Sequence, residues 1–186
     1  MGLAAHIERL ASPDAKERDA AAEEIYIAGS ILARRAARAW LKDSEFVSYV
    51  GAEPKITVGV AVPRELFARI RMANGSPRLA EVPAEQDAEE FEIQFPGLHF
   101  DVLTSRAPNG NGAIARYLAK FGAGIQQVEF LCSNVDRATS VLRERFGATP
   151  IYPETRAGAD GTRVNFFLVT TPENEKVLIE LYEKSS

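Results

Sequence analysis

The chain has 186 residues, of which 46% are hydrophobic and 26% are charged, and its formal net charge is −4. This length allows one domain with an appendage, and the balance is typical of a soluble globular protein that needs no cross-links. The negative charge argues against nucleic acid or an anionic membrane as the main partner, and no apolar run approaches the ~18 residues of a spanning helix.

The N-terminus and the single cysteine together indicate a compartment. The N-terminal segment MGLAAHIERLASPD has no basic region followed by an apolar region, so no signal peptide is predicted. Cys132 lies in the apolar run Phe130 to Cys132 and has no second cysteine with which to form a disulfide. We therefore predict a cytoplasmic protein in which Cys132 is a buried thiol.

The first fifty residues are rich in alanine and charge and contain no strand-like run. Ser12, followed by Pro-Asp, predicts a helix start, Gly29 predicts its end, and Ser30 can cap another helix. This pattern is similar to one HEAT helical repeat, which cannot bury its own apolar face. We predict a helical extension over residues 1–53, packed on the next domain or on a second subunit through Trp40 and Tyr49. The alternative is a segment that recruits a partner.

From Lys55 the pattern changes to alternating strands and one amphipathic helix. The predicted elements of this first module (residues 55–105) are a strand over 56–62, a helix over 64–73, and strands over 78–82, 90–95 and 98–103. Turn residues fill 107–112, and a short helix ends at Gly122. Residues 106–123 are therefore predicted to join two modules.

The same order restarts in residues 124–186. The predicted elements are a strand over 126–131, a helix over 134–146 that ends at Gly147, and strands over 149–152, 163–169 and 176–182. Thr57 aligns with Gln127 and Asp101 with Glu180, at offsets of about 70 to 79 residues. An internal repeat of this kind predicts a duplicated βαβββ unit.

Several segments of the second module resemble a known superfamily. Residues 124–130 (GIQQVEF) resemble the Gly-Ile-His-His strand of methylmalonyl-CoA epimerases and glyoxalases. Residues 154–166 are similar to that group's Pro-Arg-x-Gly-x-x-Gly-x-x-Val-x-Phe segment, and 177–181 to its closing Leu-Ile-Glu-Leu strand. The chain thus resembles the vicinal-oxygen-chelate superfamily, and within it methylmalonyl-CoA epimerase-like proteins. The resemblance implies an α+β fold in which two βαβββ modules over residues 55–186 form a cupped mixed sheet.

The resemblance also implies a metal site, with one ligand from the first and last strand of each module. The four positions here are Thr57, Asp101, Gln127 and Glu180, where the superfamily usually has histidine at the first and third. His99 lies two residues before Asp101, so it faces the same side and could replace a lost imidazole. The implied cofactor is a divalent metal (Mg, Mn, Ni, Co or Zn), and an oxygen-rich set favours the harder ions such as Mg or Mn. The alternative is a polar cavity without a metal.

Two glutamates are candidate catalytic bases. Glu129 is in phase with Gln127 on its strand, as Tyr182 is with Glu180, so these side chains are expected to face the cavity. A carboxyl in a partly apolar pocket beside a second carboxyl has a raised pKa and can remove a proton next to a carbonyl or thioester. The alternative is that Glu129 pairs with Arg156, Arg163 or solvent.

The function implied by the resemblance is a lyase or isomerase of the glyoxalase or epimerase type. Its ligand would be a small molecule, for example an acyl-CoA. The implied substrate-binding residues are Arg156, Tyr182 and Thr57. The implied assembly is a homodimer. Arg156 is the candidate for binding a phosphate or carboxylate, the alternative being an ordinary arginine in a hairpin loop. A non-catalytic binding protein that has lost the metal site is the second hypothesis.

Overall fold

The computed structural model describes residues 2–184, so residues 1, 185 and 186 of the predicted ranges lie outside it. Within this part there are six α-helices and seven strands, which confirms the α+β class. In chain order they are α1 Leu3–Arg9, α2 Ala15–Ala36, α3 Ser44–Val50, β1 Ile56–Ala61, α4 Arg64–Ala73, β2 Ala88–Phe95, β3 Leu98–Ser105, α5 Ala113–Phe121, β4 Gly124–Leu131, α6 Val135–Phe146, β5 Arg156–Ala157, β6 Arg163–Thr170 and β7 Lys176–Glu183. None of the helices in residues 2–184 combines the length and apolar character needed to cross a bilayer.

The chain divides into two compact units, each built from two segments. Unit 1 comprises Met1–Gly29 and Val58–Gln126, and unit 2 comprises Ser30–Thr57 and Gln127–Ser186. The N-terminal helices are therefore shared between both units. A separate helical extension over 1–53, followed by a domain over 55–186, stays a prediction.

The long helix α2 differs from the prediction at Gly29. The expected stop at Gly29 and restart at Ser30 are wrong, because one helix runs from Ala15 to Ala36. A Cβ on Gly29 would lie only 2.6 Å from Cγ2 of Val58 on β1. Close approach of helix and strand, rather than helix termination, therefore explains this glycine.

Unit 1 contains the strand order β2-β3-β1. β1 and β3 are parallel, whereas β2 and β3 are antiparallel, so the predicted mixed pairing is confirmed here. Phe67 of α4 meets Phe91 of β2 edge-on at a centroid distance of 4.7 Å, and both rings are buried. The amide of Asn74 donates to the carbonyls of Leu10 and Ile70, which ties the first residues of the chain to the end of α4.

The strand predicted over residues 78–82 is wrong. Only Ala80 follows the expected ladder, through a 2.8 Å bond from its N–H to the Glu90 carbonyl. The N–H of Val82 instead bonds back to the carbonyl of Ala80, and Pro83 has no N–H to donate. A local turn thus replaces the rest of this strand.

Unit 2 contains the strand order β4-β7-β6-β5. β4 and β7 are parallel, and β7, β6 and β5 are antiparallel in succession. The strand predicted over residues 149–152 is also wrong, since only the N–H of Ile151 pairs with β6, at 2.7 Å from the Phe166 carbonyl. Pro150 and Pro153 flank it and remove two donors, which limits the pairing. The two-residue β5 takes the edge position instead.

The helical segment of unit 2 is anchored by aromatic contacts and ion pairs. Trp40 lies edge-on to Phe46 of α3 and to Phe167 of β6, at centroid distances of 5.9 and 5.6 Å. Arg145 of α6 pairs with Asp43, the residue that caps α3, and with Glu45. The predicted role of Trp40 as an anchor to the sheet is confirmed.

Candidate functional site

The candidate site lies on one face of the unit 2 sheet. Because side chains alternate along a strand, Gln127 and Glu129 of β4 share a face, as do Glu180 and Tyr182 of β7. The strand register brings the two pairs together, because Glu129 of β4 lies directly opposite Glu180 of β7. On the other side of β7, Phe166 of β6 lies directly opposite Glu180. We call the face that carries these five residues the carboxylate face.

A hydrogen-bonded triad occupies the middle of the carboxylate face. Gln127, Glu129 and Glu180 are each less than one-tenth exposed. The Gln127 amide nitrogen, Nε2, donates to Glu129 Oε1 at 3.0 Å and to Glu180 Oε2 at 2.7 Å. An amide nitrogen has two hydrogens, so both are used in joining the two carboxylates.

Apolar side chains border the triad. Phe166 is the cross-strand partner of Glu180, and Leu168 and Leu178 form the next pair along the same face. Leu168 is 56% exposed, and Phe166 and Leu178 are half-buried. A partly exposed apolar surface therefore adjoins the buried carboxylates and can accept the hydrocarbon part of a ligand.

An arginine stands at the edge of this surface. Arg156 lies on β5, opposite Val164, which is in turn opposite Tyr182. Its guanidinium stacks on the Tyr152 ring at 3.8 Å from the centroid, and the Tyr152 ring meets Phe166 edge-on at 5.9 Å. A guanidinium held over an aromatic ring by a cation–π contact keeps N–H groups with which it can bind an anion.

The structure brings together three of the predicted site residues, namely Gln127, Glu129 and Glu180. Tyr182 lies on the same face and is buried, and Thr57 is buried on β1. Asp101 and His99 belong to unit 1, where they are half-buried and share one face of β3, as expected from their spacing. Their participation in one site with the triad stays a prediction.

Other charged groups near the triad in sequence have structural partners. Arg163, a predicted partner of Glu129, pairs instead with Asp136 at 2.6 Å and with Glu183 at 3.7 Å. Hydrogen bonds from the Thr155 hydroxyl and from Arg163 lower the pKa of Asp136 below its usual value of 3.8. Burial, with a smaller contribution from the charge of Glu183, raises the pKa of the Cys132 thiol to about 12. The predicted burial of Cys132 is confirmed, and the raised pKa keeps its thiol protonated at neutral pH.

The triad does not fit a divalent metal. In residues 2–184, no three His, Cys, Asp or Glu side chains converge as a metal site would require. The group that Gln127 turns towards both carboxylates is N–H, a donor without a lone pair for a metal. The predicted role of Gln127 as a metal ligand would need its carbonyl oxygen at this place, where the amide instead presents N–H.

Two residues of the site were missed in the sequence. Phe166 becomes a neighbour of Glu180 only through the β6–β7 register, which the sequence does not specify. Tyr152 was assigned to a strand, whereas its ring supports Arg156. Tyr152 and Arg156 are four residues apart in the sequence. This spacing indicates a side-chain contact only within a helix, so it did not predict the contact here.

Comparison with known proteins identifies the fold. No protein family profile and no curated protein matches the chain. Among solved structures, methylmalonyl-CoA epimerase from Mycobacterium tuberculosis matches 70% of this chain and 87% of its own, with 28% identity and a TM-score of 0.57. This is the vicinal-oxygen-chelate fold.

Two further neighbours were solved with ligands. A methylmalonyl-CoA epimerase in complex with methylmalonyl-CoA and NH4+ matches 72% of this chain and 96% of its own, at 23% identity and a TM-score of 0.56. The Streptomyces coelicolor epimerase in complex with 2-nitronate-propionyl-CoA matches 71% of this chain and 100% of its own, at 22% identity and a TM-score of 0.55. At this identity the two structures show a shared fold.

Proposed function

We propose that this protein is an isomerase of the epimerase type that moves the proton next to the carbonyl of a small acyl compound, for example an acyl-CoA. The observation that supports this most is the pair of buried carboxylates, Glu129 and Glu180, held side by side next to an apolar surface. The fold neighbours solved with acyl-CoA ligands support the substrate class.

The proposed reaction uses the two carboxyl groups as base and acid. Burial and mutual repulsion favour a single negative charge on a pair of adjacent carboxyls. The ionised member takes the α-proton, and the C–H electron pair moves into an enolate whose negative charge rests on the carbonyl oxygen. The protonated member then returns a proton to the other face of the α-carbon, which inverts it and leaves the total number of protons unchanged.

Arg156 is the proposed binding residue for the anionic part of the substrate. It is exposed on the edge strand, and its guanidinium lies over the Tyr152 ring. Planar arginine suits two-point binding of phosphate or carboxylate, and an acyl-CoA carries several phosphates. The apolar pair Leu168 and Leu178 would accept the acyl chain or the pantetheine arm. Tyr182 and Thr57 stay predicted substrate contacts.

A non-catalytic binding protein is the second candidate. The same triad favours this candidate, because both carboxylates already accept a hydrogen bond from Gln127. A carboxylate that accepts a hydrogen bond is a weaker base for removing a proton from a substrate. In this case the carboxylate face binds an acyl compound without altering it. The predicted homodimer is a further proposal, and light scattering of the purified protein tests it.

The direct test is hydrogen exchange at the α-carbon of methylmalonyl-CoA in deuterated water, followed by mass spectrometry. We expect exchange by the wild-type protein, and a loss of about a hundredfold or more in Glu129→Gln and Glu180→Gln, a typical contribution of a general acid or base. Glu92→Gln is the matched control, since Glu92 is exposed on β2.

The possible outcomes separate the two candidates. Saturable binding of methylmalonyl-CoA without exchange above buffer supports the binding protein and rules out this epimerase. Absence of both binding and exchange contradicts the acyl-CoA proposal as a whole.

A further inference from the structure

Gln127 stands where a cation would be needed to hold two carboxylates together. Glu129 and Glu180 are direct neighbours on parallel strands and both are buried, so negative charge on this pair is costly unless a positive group lies between the two carboxyls. The positive ends of both N–H bonds of the Gln127 amide point at these oxygens, at 3.0 and 2.7 Å. The amide thus supplies, without net charge, the attraction that a bound ion supplies in a metal centre.

Ligation by Gln127 would require the opposite orientation of its amide. A divalent ion takes oxygen lone pairs, so the amide would have to turn by a half rotation and present its carbonyl oxygen. That turn breaks both hydrogen bonds and places three oxygen atoms together in a buried position. A neutral oxygen and two carboxylates are also a weaker set than one with a third charged or imidazole ligand.

We propose that the Gln127 amide replaces a divalent metal as the bridge between Glu129 and Glu180, so that this centre forms without a metal ion. Gln127 is then a positioning residue, because it acts by holding the two glutamates. This inference concerns how the centre is built and does not depend on the proposed reaction.

Charge-changing variants at Gln127 test the proposal. Gln127→Glu places a third carboxylate in the triad, which costs stability until a cation neutralises it. Gln127→His keeps the position neutral but supplies an imidazole, the commonest metal ligand. Asn111→Asp is the matched control, because it makes the same amide-to-carboxylate change at an exposed position of the linker before α5.

Each protein is stripped with a chelator and titrated with Mn2+, with calorimetry, the electron paramagnetic resonance signal of free Mn2+ and the thermal midpoint as readouts. For the wild type and Asn111→Asp we expect no stoichiometric binding and a change in midpoint below about 1 °C. For Gln127→Glu and Gln127→His we expect one equivalent of Mn2+ and, at about a hundred times its dissociation constant, a rise of roughly 5–10 °C.

Two results overturn the proposal. The first is a wild-type protein that binds one equivalent of Mn2+ and loses this binding in Glu180→Gln. The second is that both Gln127 variants fold and bind no Mn2+, which would show that the amide does not occupy a cation position. A Gln127→Glu protein that folds only with Mn2+ supports the proposal, and if neither variant folds the wild-type titration still decides.

Discussion

Gly29 in the middle of α2 lies directly against Val58 of β1. A Cβ built on Gly29 would stand 2.6 and 2.7 Å from the two methyl carbons of Val58, closer than non-bonded carbon atoms approach. Both residues are buried, and Val58 is fully so. The absence of a side chain at Gly29 therefore sets how closely the helix packs on the strand.

Replacing Gly29 by alanine should destabilise the fold even though alanine favours helices. We expect Gly29→Ala to lower the free energy of unfolding by about 1–3 kcal/mol, the usual cost of overpacking a core. The double variant Gly29→Ala/Val58→Ala should lose less than the sum of the two single variants, because the smaller residue makes room for the added methyl. Urea unfolding of the four proteins measures this coupling.

The control is Ala28→Gly, one position earlier and exposed. It should cost about 1 kcal/mol through helix propensity alone, with no coupling to Val58→Ala. If Gly29→Ala stabilised the protein, as glycine-to-alanine changes do in open helices, the close contact with Val58 would be contradicted.

The helices α4 and α6 were predictable because each buries one apolar face. The helices α4 and α6 match their predicted bounds to within one residue, since apolar spacing and the glycine after α6 are local signals. The strands predicted over 78–82 and 149–152 do not form, because prolines and a local turn prevent regular hydrogen bonding between strands there. Gly29 was misread as a helix stop because its cause, contact with Val58, is distant in the sequence.

The residues of the candidate site could be predicted from the sequence, but the hydrogen bonds between them could not. Internal duplication aligned Gln127 with Thr57 and Glu180 with Asp101, and period-two alternation added Glu129. The direction in which the Gln127 amide points depends on which oxygens surround it, and that depends on the β4–β7 register. A sequence pattern therefore suggested a metal ligand where the structure has a hydrogen-bond donor.

Asp136 should make stability depend on pH at the acidic end. Hydrogen bonds from Thr155 and Arg163 lower its pKa below 3.8, so the ionised form is favoured in the folded state. Its contribution is present above pH 3.8 and is lost as the pH falls through the lowered pKa. Because the side chain is largely exposed, Asp136→Asn should cost at most about 1 kcal/mol at pH 7, with the difference shrinking towards pH 2.

Urea midpoints of both proteins at pH 7, 5, 3 and 2 measure this convergence. Asp19→Asn, at an exposed position of α2, is the control and should leave the midpoints nearly unchanged. A constant gap between wild type and Asp136→Asn across this range would contradict a lowered pKa as its cause.

Cys132 should resist alkylation as long as the protein is folded. Its pKa of about 12, set by burial, leaves very little thiolate at pH 8, whereas an unfolded chain has the ordinary cysteine value of 9.0. The thiolate is the reactive form, so modification by iodoacetamide should be slower in the folded protein by about a thousandfold. Because the chain has one cysteine, a single mass shift reports the reaction.

The same reaction in increasing urea should follow the unfolding curve measured by circular dichroism. Rapid modification of the folded protein would contradict the burial of Cys132. Modification that runs well ahead of global unfolding would instead locate a local opening at the end of β4.

Arg156 should contribute to binding of the phosphate-bearing part of a CoA ligand. Charge-assisted hydrogen bonds are worth about 1.5–3 kcal/mol, so Arg156→Ala should weaken coenzyme A binding by roughly tenfold to a hundredfold, and by less as salt increases. Tyr152→Leu removes the stacking that orients the guanidinium and should weaken binding by only about threefold.

Calorimetric titrations with coenzyme A and with pantetheine separate this role from general damage to the site. Pantetheine lacks the phosphates, so it should bind equally to wild type and Arg156→Ala if the arginine recognises phosphate. Arg38→Ala, an exposed arginine just after α2, is the matched control for loss of one positive charge. Equal weakening of both ligands by Arg156→Ala would mean that the residue shapes the apolar surface through Tyr152 and Phe166 rather than binding an anion.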